Sequence, residues 1–185
     1  MPVDSMSKSD KLEILYEMKT ILNFLKPYVM VDSIFDSEIV INSCANIKLI
    51  FMDVDNTIIS YRENEIHSSI QCWLDDISTQ KRIVFVTNNK KQRVDRIAYL
   101  KKFNCVCKAR KPCPLVYKKI LKKNHVLKNE SVIIGDQLFN DVLGGKLASI
   151  KTILVKPIDK EMTLRMRVKR SLESMLLKYM ENLHE

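Results

Sequence analysis

Hydrophobic and polar positions along the chain follow two periods. Between Ser9 and Lys26 the residues Leu12, Leu15, Met18, Ile21, Leu22 and Leu25 recur every three or four positions. That spacing predicts an amphipathic helix, with Asp10 as N-cap and Pro27 just past its end. Val29 to Asp36 reads as an extended connection packed on the core, and Asp36 to Asn46 as a short irregular stretch with one helical turn. The pattern then changes. Leu49-Ile50-Phe51-Met52 is an unbroken apolar run, the signature of a strand buried on both faces. A helix pattern follows over Ile66 to Ser78, a second strand over Arg82 to Thr87, a helix over Lys90 to Phe103 and a third strand over Cys105 to Ala109. The remaining elements are a helix over Pro114 to Asn124, a strand over Ser131 to Gly135, a helix over Phe139 to Ser149 and a fifth strand over Lys151 to Lys156. Strands alternating with helices imply right-handed crossovers and a parallel sheet.

The first strand stops abruptly in Asp53-Val54-Asp55. Side chains at i and i+2 of an extended chain share a side, so both carboxylates can aim at one point beyond the strand. Two like charges held that close repel unless a cation or a proton lies between them. A divalent metal together with a reacting phosphate satisfies that requirement. In an open α/β sheet, ligands bind beyond the carboxyl ends of the strands, and those ends carry a coherent set of groups. The second strand ends in Thr87-Asn88-Asn89, whose hydroxyl and amides can donate to an anion. The loop after the third holds Arg110-Lys111-Pro112. The fourth ends in Gly135-Asp136 with Asp141 five residues on.

The 185 residues, 46% hydrophobic, provide for one domain with its own core. No apolar run reaches the roughly 18 residues of a spanning helix, and Asp4, Asp10, Glu13 and Glu17 interrupt any signal-peptide pattern near the start. Five cysteines without a C-x-x-C pair suggest neither a disulfide framework nor a zinc site and fit a reducing, cytoplasmic setting. A formal charge of +9 favours anionic partners, although no basic patch interleaved with aromatics points to nucleic acid. Only three glycines occur, all from Gly135 to Gly145, which suggests backbone positions that reject a side chain. From Glu161 to Leu183 an apolar stripe (Leu164, Val168, Leu172, Met175, Leu176, Tyr179, Met180, Leu183) runs among basic residues. Two readings are open: a helix packed across the sheet or on the N-terminal helix, and a helix lying on a membrane surface.

The order D-x-D-x-T, strand-terminal Thr, Lys-Pro and G-D-x-x-x-x-D resembles the haloacid dehalogenase (HAD) superfamily of aspartate-nucleophile phosphohydrolases. The stretches V-D-N-T-I, T-N-N, K-A-R-K-P, G-D-Q-L-F-N-D-V-L-G-G and T-I-L-V-K-P-I, with S-I-F-D upstream, look like the YqeG-like subfamily IIIA branch, which includes phosphatidylglycerophosphate phosphatases. The resemblance spans roughly Leu25 to Arg170 and implies a single Rossmann-like, three-layer domain. Its five-stranded parallel sheet would have the order 5-4-1-2-3, with no cap domain and with extra helices at both ends. The corresponding division is 1–46 for the N-terminal helix and lead-in, 47–160 for the hydrolase core and 161–185 for the basic amphipathic tail.

By the same resemblance Asp53 is the nucleophile and Asp55 the general acid and base. Lys111 neutralises charge on the phosphoryl group, with Thr87, Asn88 and Asn56 on the substrate side. Mg²⁺ is held by Asp53, Asp55 through its carbonyl, and Asp136, while Asp141 orients a water or Lys111. The implied substrate is a phosphorylated one, foremost a phospholipid headgroup, met by a cytoplasmic protein in peripheral contact with the inner face of the membrane. Soluble nucleotides, small metabolites or nucleic-acid ends are the alternative substrates. A non-catalytic HAD-fold binding protein is the alternative in kind.

Overall fold

A computed structural model describes residues 7–44, 46–160 and 163–182; Asp4, Glu161 and Leu183 lie outside that range. The sheet has six parallel strands: β1 (Val29–Val31), β2 (Leu49–Met52), β3 (Arg82–Val86), β4 (Asn104–Val106), β5 (Ser131–Gly135) and β6 (Lys151–Val155), in the order β1-β6-β5-β2-β3-β4. The five expected strands are present in the expected order. The sixth, β1, lies in the stretch read as an extended connection packed on the core: three of its residues pair in register with Ile153, Leu154 and Val155 and so make it a strand. Three residues of mixed exposure are too short to carry a strand period, and only the free edge of β6 makes them one.

The helices are α1 (Lys8–Leu25), α2 (Ser37–Ser43), α3 (Ser68–Ser78), α4 (Lys91–Asp95), α5 (Leu115–Asn124), α6 (Leu143–Ala148) and α7 (Leu164–Asn182). Alternate residues of each central strand enter opposite cores. Ile50, Met52, Phe85 and Ile134 meet Trp73, Leu74 and Ile77 of α3, and Leu49, Phe51, Val84 and Ile133 meet Tyr117 and Leu121 of α5. Burial on both faces is what the continuous apolar runs encode. A third cluster joins Leu22 and Leu25 of α1 to Leu138, Val142, Leu154 and Met180 at the β6 side.

Three details depart from the periodicity. The helix expected over Lys90 to Phe103 breaks into α4 and a 3₁₀ turn over Ala98–Lys102, with Ile97 extended between them. Ser7, rather than Asp10, caps α1; Asp10 sits at the third helical position and returns the bond to the Ser7 amide. The helix expected from Phe139 begins as a π-helical turn over Leu138–Val142. This turn brings Asp141 back over the end of β5, and the geometry leaves no room for a side chain at Gly135. A Cβ there would lie 2.3 Å from the Asp141 carboxyl carbon. Gly145 is constrained in the same way by Thr152, at 2.1 Å. None of the three glycines has a positive φ, so close approach, and not left-handed backbone, accounts for them.

Candidate active site

All strands point the same way, so their carboxyl ends form one edge, and there Asp53, Asp55, Thr87, Lys111 and Asp136 converge as the sequence predicts. The Asp53 amide donates to the Ile134 carbonyl at 2.9 Å, which continues the β2–β5 ladder by one residue and brings Asp53 beside Asp136. Lys111 reaches in from the loop after β4. Its Nζ lies 2.7 Å from Asp53 Oδ1 and 2.7 Å from Asp141 Oδ1, with all three side chains buried. Carboxylate oxygens of Asp53, Asp136 and Asp141 come within 4.8 Å of one another. Asp141 also accepts from the Gln137 amide at 3.1 Å, closing the turn that carries it.

Three carboxylates against Lys111 and Arg170, the latter also engaged by Glu173, leave excess negative charge in a region shielded from water. Burial pushes the Asp53 carboxyl up to about 6 despite the opposing pull of Lys111, and Asp141 adds to the rise. Burial likewise raises Asp136 well above the ordinary range, with repulsion from Asp53 behind it and Arg170 opposing. Burial alone would lower the Lys111 ammonium, but Asp141 and Asp53 outweigh it and raise its pKa, so the lysine stays charged. Hard oxygen donors clustered with uncompensated charge suit a small divalent cation that keeps part of its water shell.

Asp55 faces differently. Its Oδ1 receives Arg93 Nε at 2.9 Å and its Oδ2 receives Asn89 Nδ2 at 2.7 Å. Its side chain stands apart from the three-carboxylate cluster. Arg93 was not singled out in the sequence, where it is one base among many in a charged helix. Its guanidinium also donates to the carbonyls of Ser60 and Glu63, which ties α4 to the loop after β2.

Thr87 Oγ1 accepts from the Asn89 amide at 3.1 Å, leaving its own proton to donate into the cleft. Asn88 lines the cleft, but its amide group is committed. It donates to the Lys111 carbonyl at 3.1 Å and accepts from the Lys111 amide at 2.7 Å. Asn88 thereby holds the lysine backbone at the edge of the cleft that it lines. The expectation for Asn56 is corrected: it is fully buried and does not line the cleft. It adopts φ 62°, a left-handed conformation that asparagine tolerates better than most residues. It accepts from the Ile158 amide at 3.0 Å and donates to the Asp159 carbonyl at 3.1 Å. These bonds fasten the segment after β6 across the loop after β2.

That fastening delivers α7 to the cleft, a contribution that strand-end motifs do not encode. Arg170 donates to the carboxylate and the carbonyl of Asp136 and to Glu173 Oε2 at 3.0 Å. Glu173, buried at 2% exposure, accepts from the Phe139 amide at 3.0 Å. The inner face of α7 is thus charged. Most of its apolar stripe points outward, with Leu164 77%, Val168 63% and Met175 57% exposed, while Met180 is buried. The expectation that the stripe packs on the core therefore holds only for its far end. Among the described residues no helix is long and apolar enough to cross a membrane.

A HAD-hydrolase-like family model matches residues 108–157, the stretch from before Lys111 to just past β6. The Bacillus subtilis (strain 168) protein named "Probable phosphatase YqeG" is 29% identical over 133 residues, covering 71% of this chain and 77% of its own. Two solved structures share the fold. The HAD-hydrolase YfnB from Bacillus subtilis, bound to magnesium, has a TM-score of 0.55 at 12% identity over 71% of this chain and 99% of that one. A haloacid dehalogenase-like family hydrolase from Xanthomonas campestris has a TM-score of 0.52 at 12% identity over 72% of this chain and 95% of that one. Together with the site, these likenesses support a HAD-like superfamily hydrolase. The similarity to YqeG supports, within that class, a phosphatase.

Proposed function

We propose that the protein is a Mg²⁺-dependent phosphomonoester hydrolase of the YqeG-like subfamily IIIA branch, with Asp53 as nucleophile, acting on phosphatidylglycerophosphate. The observation that carries the chemistry is the placement of Asp53. It is a carboxylate at a strand end, 2.7 Å from a buried lysine and beside two further buried acids, in an open cleft. An oxygen of Asp53 attacks phosphorus and the bond to the leaving oxygen breaks, with Asp55 supplying the proton that the departing alcohol needs. Water then gives a proton to Asp55 and attacks the aspartyl-phosphate, which releases inorganic phosphate and restores the Asp53 carboxylate. Both Asp55 oxygens are engaged by Arg93 and Asn89, so one of these contacts yields when substrate enters. Lys111 and the Thr87 hydroxyl hold the phosphoryl oxygens.

Asp53, Asp136 and the carbonyl of Asp55 are the groups that would hold Mg²⁺, with Asp141 completing the acidic cluster. When bound, the ion offsets the repulsion between a carboxylate nucleophile and a phosphate dianion. The lipid assignment is supported by the resemblance of the motifs to that branch. It is supported too by the outward stripe of Leu164, Val168, Leu172 and Met175, flanked by Arg165 and Arg167 and starting at the cleft. A helix of that kind suits a protein resting on the cytoplasmic face of an anionic membrane.

Hydrolysis of an aryl phosphate should require Mg²⁺ and fall by about 10⁴-fold or more in Asp53→Asn. Phosphate release from phosphatidylglycerophosphate in mixed micelles should exceed release from soluble sugar phosphates. Equal or reversed rates would remove the lipid assignment, and activity surviving in Asp53→Asn would remove the nucleophile.

A further inference from the structure

The cleft above Asp53 measures about 500 Å³, within the range of sites that enclose a whole small ligand. A phosphoryl group held by Lys111 and Thr87 engages only its floor. The outer wall is the first turns of α7, where Thr163, Arg165, Met166 and Lys169 line the same cleft. None of these four takes part in the chemistry proposed above.

Two of them are cations four residues apart on one helix. Like charges at that spacing repel and weaken a helix, and here both border the same opening. Arg165 forms no ion pair among the described residues. Lys169 donates to Gln137 Oε1 at 2.7 Å, a neutral acceptor, and lies 3.9 Å from Glu173, whose carboxylate is more closely engaged by Arg170 at 3.0 Å. Arg170 is committed to Asp136, and Lys111 to Asp53 and Asp141. The floor's cations are thus committed to its own acids, whereas Arg165 and Lys169 place positive charge at the mouth of the cleft, and Met166 supplies an apolar surface beside them.

We infer that Arg165 and Lys169 form a second anion subsite that selects phosphomonoesters carrying a further anionic group, a phosphodiester above all, on the part of the substrate that leaves. The inference rests on the phosphatase reading of the floor, and it names the substrate feature that the wall recognises. Two adjacent cations complement the negative charge that a phosphodiester spreads over its oxygens. That group reaches the wall equally from a lipid headgroup or from a soluble glycerol compound.

The test compares wild type with Arg165→Ala/Lys169→Ala and with Arg165→Lys on three Mg²⁺-supported substrates. These are an aryl phosphate, a soluble glycerol bearing one phosphomonoester and one methyl phosphodiester, and the same headgroup on lipid in mixed micelles. Selectivity, the ratio of kcat/KM for a diester-bearing substrate to that for aryl phosphate, should fall by about tenfold or more in the double variant. It should be largely kept in Arg165→Lys. A fall with both diester substrates assigns the subsite to the phosphodiester, and a fall confined to micelles overturns it in favour of contact with the lipid surface. A ratio that does not move overturns it as well. Calorimetric binding of the soluble diester compound to Asp53→Asn, with and without the wall substitutions, decides the subsite separately from turnover. Tenfold weaker binding in the wall variants supports it even where no substrate is hydrolysed, a result that would instead count against the phosphatase reading.

Discussion

At the floor of the cleft each charged group with a task in the proposed reaction is buried and answered by a partner. Lys111 lies between Asp53 and Asp141, Asp136 is met by Arg170, and Asp55 by Arg93 and Asn89. The outer wall inverts this arrangement. The helix α7 turns a charged face inward, leaves much of its apolar face in solvent and presents Arg165 and Lys169 at the opening. The floor sets electrostatics for one reaction and tolerates little change, because a partner removed from a dry site leaves an uncompensated charge. The wall is held through Arg170 and Glu173 and, at its far end, through Met180, so the residues at its outer face can vary without disturbing the chemistry below. A fold of this kind can keep a reaction and change what it acts on.

The comparison is broken most severely at Lys111. Lys111→Met should lower kcat/KM for an aryl phosphate by about 10²–10³-fold, since the phosphoryl group loses its buried cation. The same substitution leaves Asp53 and Asp141 facing each other unpaired, and should cost about 3–5 kcal/mol in urea unfolding. A loss of activity without loss of stability would mean that the lysine belongs to the wall's kind of residue and not to the floor's.

A smaller effect is expected where floor and wall meet. Arg170→Ala removes charged hydrogen bonds to Asp136 and Glu173 and should destabilise the protein by about 2 kcal/mol. It should also raise amide exchange across residues 164–182 more than across β2 or β5. Uniform exchange throughout would show that α7 is held by something other than this arginine.

The smallest effect concerns the charge carried by the floor itself. Asp53 has a folded value of about 6, above its ordinary 3.8, so the native state binds the proton more tightly than the unfolded chain does. Stability from this group is full below about pH 3.8, the unfolded value, and is lost as pH rises from there through about 6. Metal-free Asp53→Asn should therefore melt about 2–4 °C above wild type at pH 8, with the gain shrinking as pH falls below 6 and gone near the unfolded value of 3.8. A gain of the same size at both ends of that range would assign the stabilisation to something other than removal of the Asp53 charge.

How much of this was legible beforehand differs between the two regions for a physical reason. The floor is read from strand ends, where an apolar run stops in a polar residue and the parallel sheet gathers all such stops at one edge. Asp53, Thr87, Lys111 and Asp136 could be placed without coordinates. Asn88 and Asn56 could not. An amide next to a strand end can equally face a ligand or hold the backbone, and here they hold Lys111 and the segment of Asp159. Arg93 and Arg170 were hidden among 31 lysines and arginines, because spacing along a chain does not say which of many bases meets a buried acid.

The pattern of α7 leaves two orientations open for a related reason. An apolar stripe predicts that a helix has two unlike faces but not which of them turns inward. The buried carbonyl and carboxylate of Asp136 drew the face bearing Arg170 instead. The amino-acid sequence alone determined the parallel sheet, from its local period, and the identity of the acids and the lysine at its edge, from the residues that stop each strand; the strand order came from the resemblance of its motifs to the HAD superfamily. Only the tertiary structure decided that β1 is a strand, that Gly135 makes way for Asp141, and that a C-terminal helix walls the cleft. Each depends on a partner distant in sequence, and no local pattern records it.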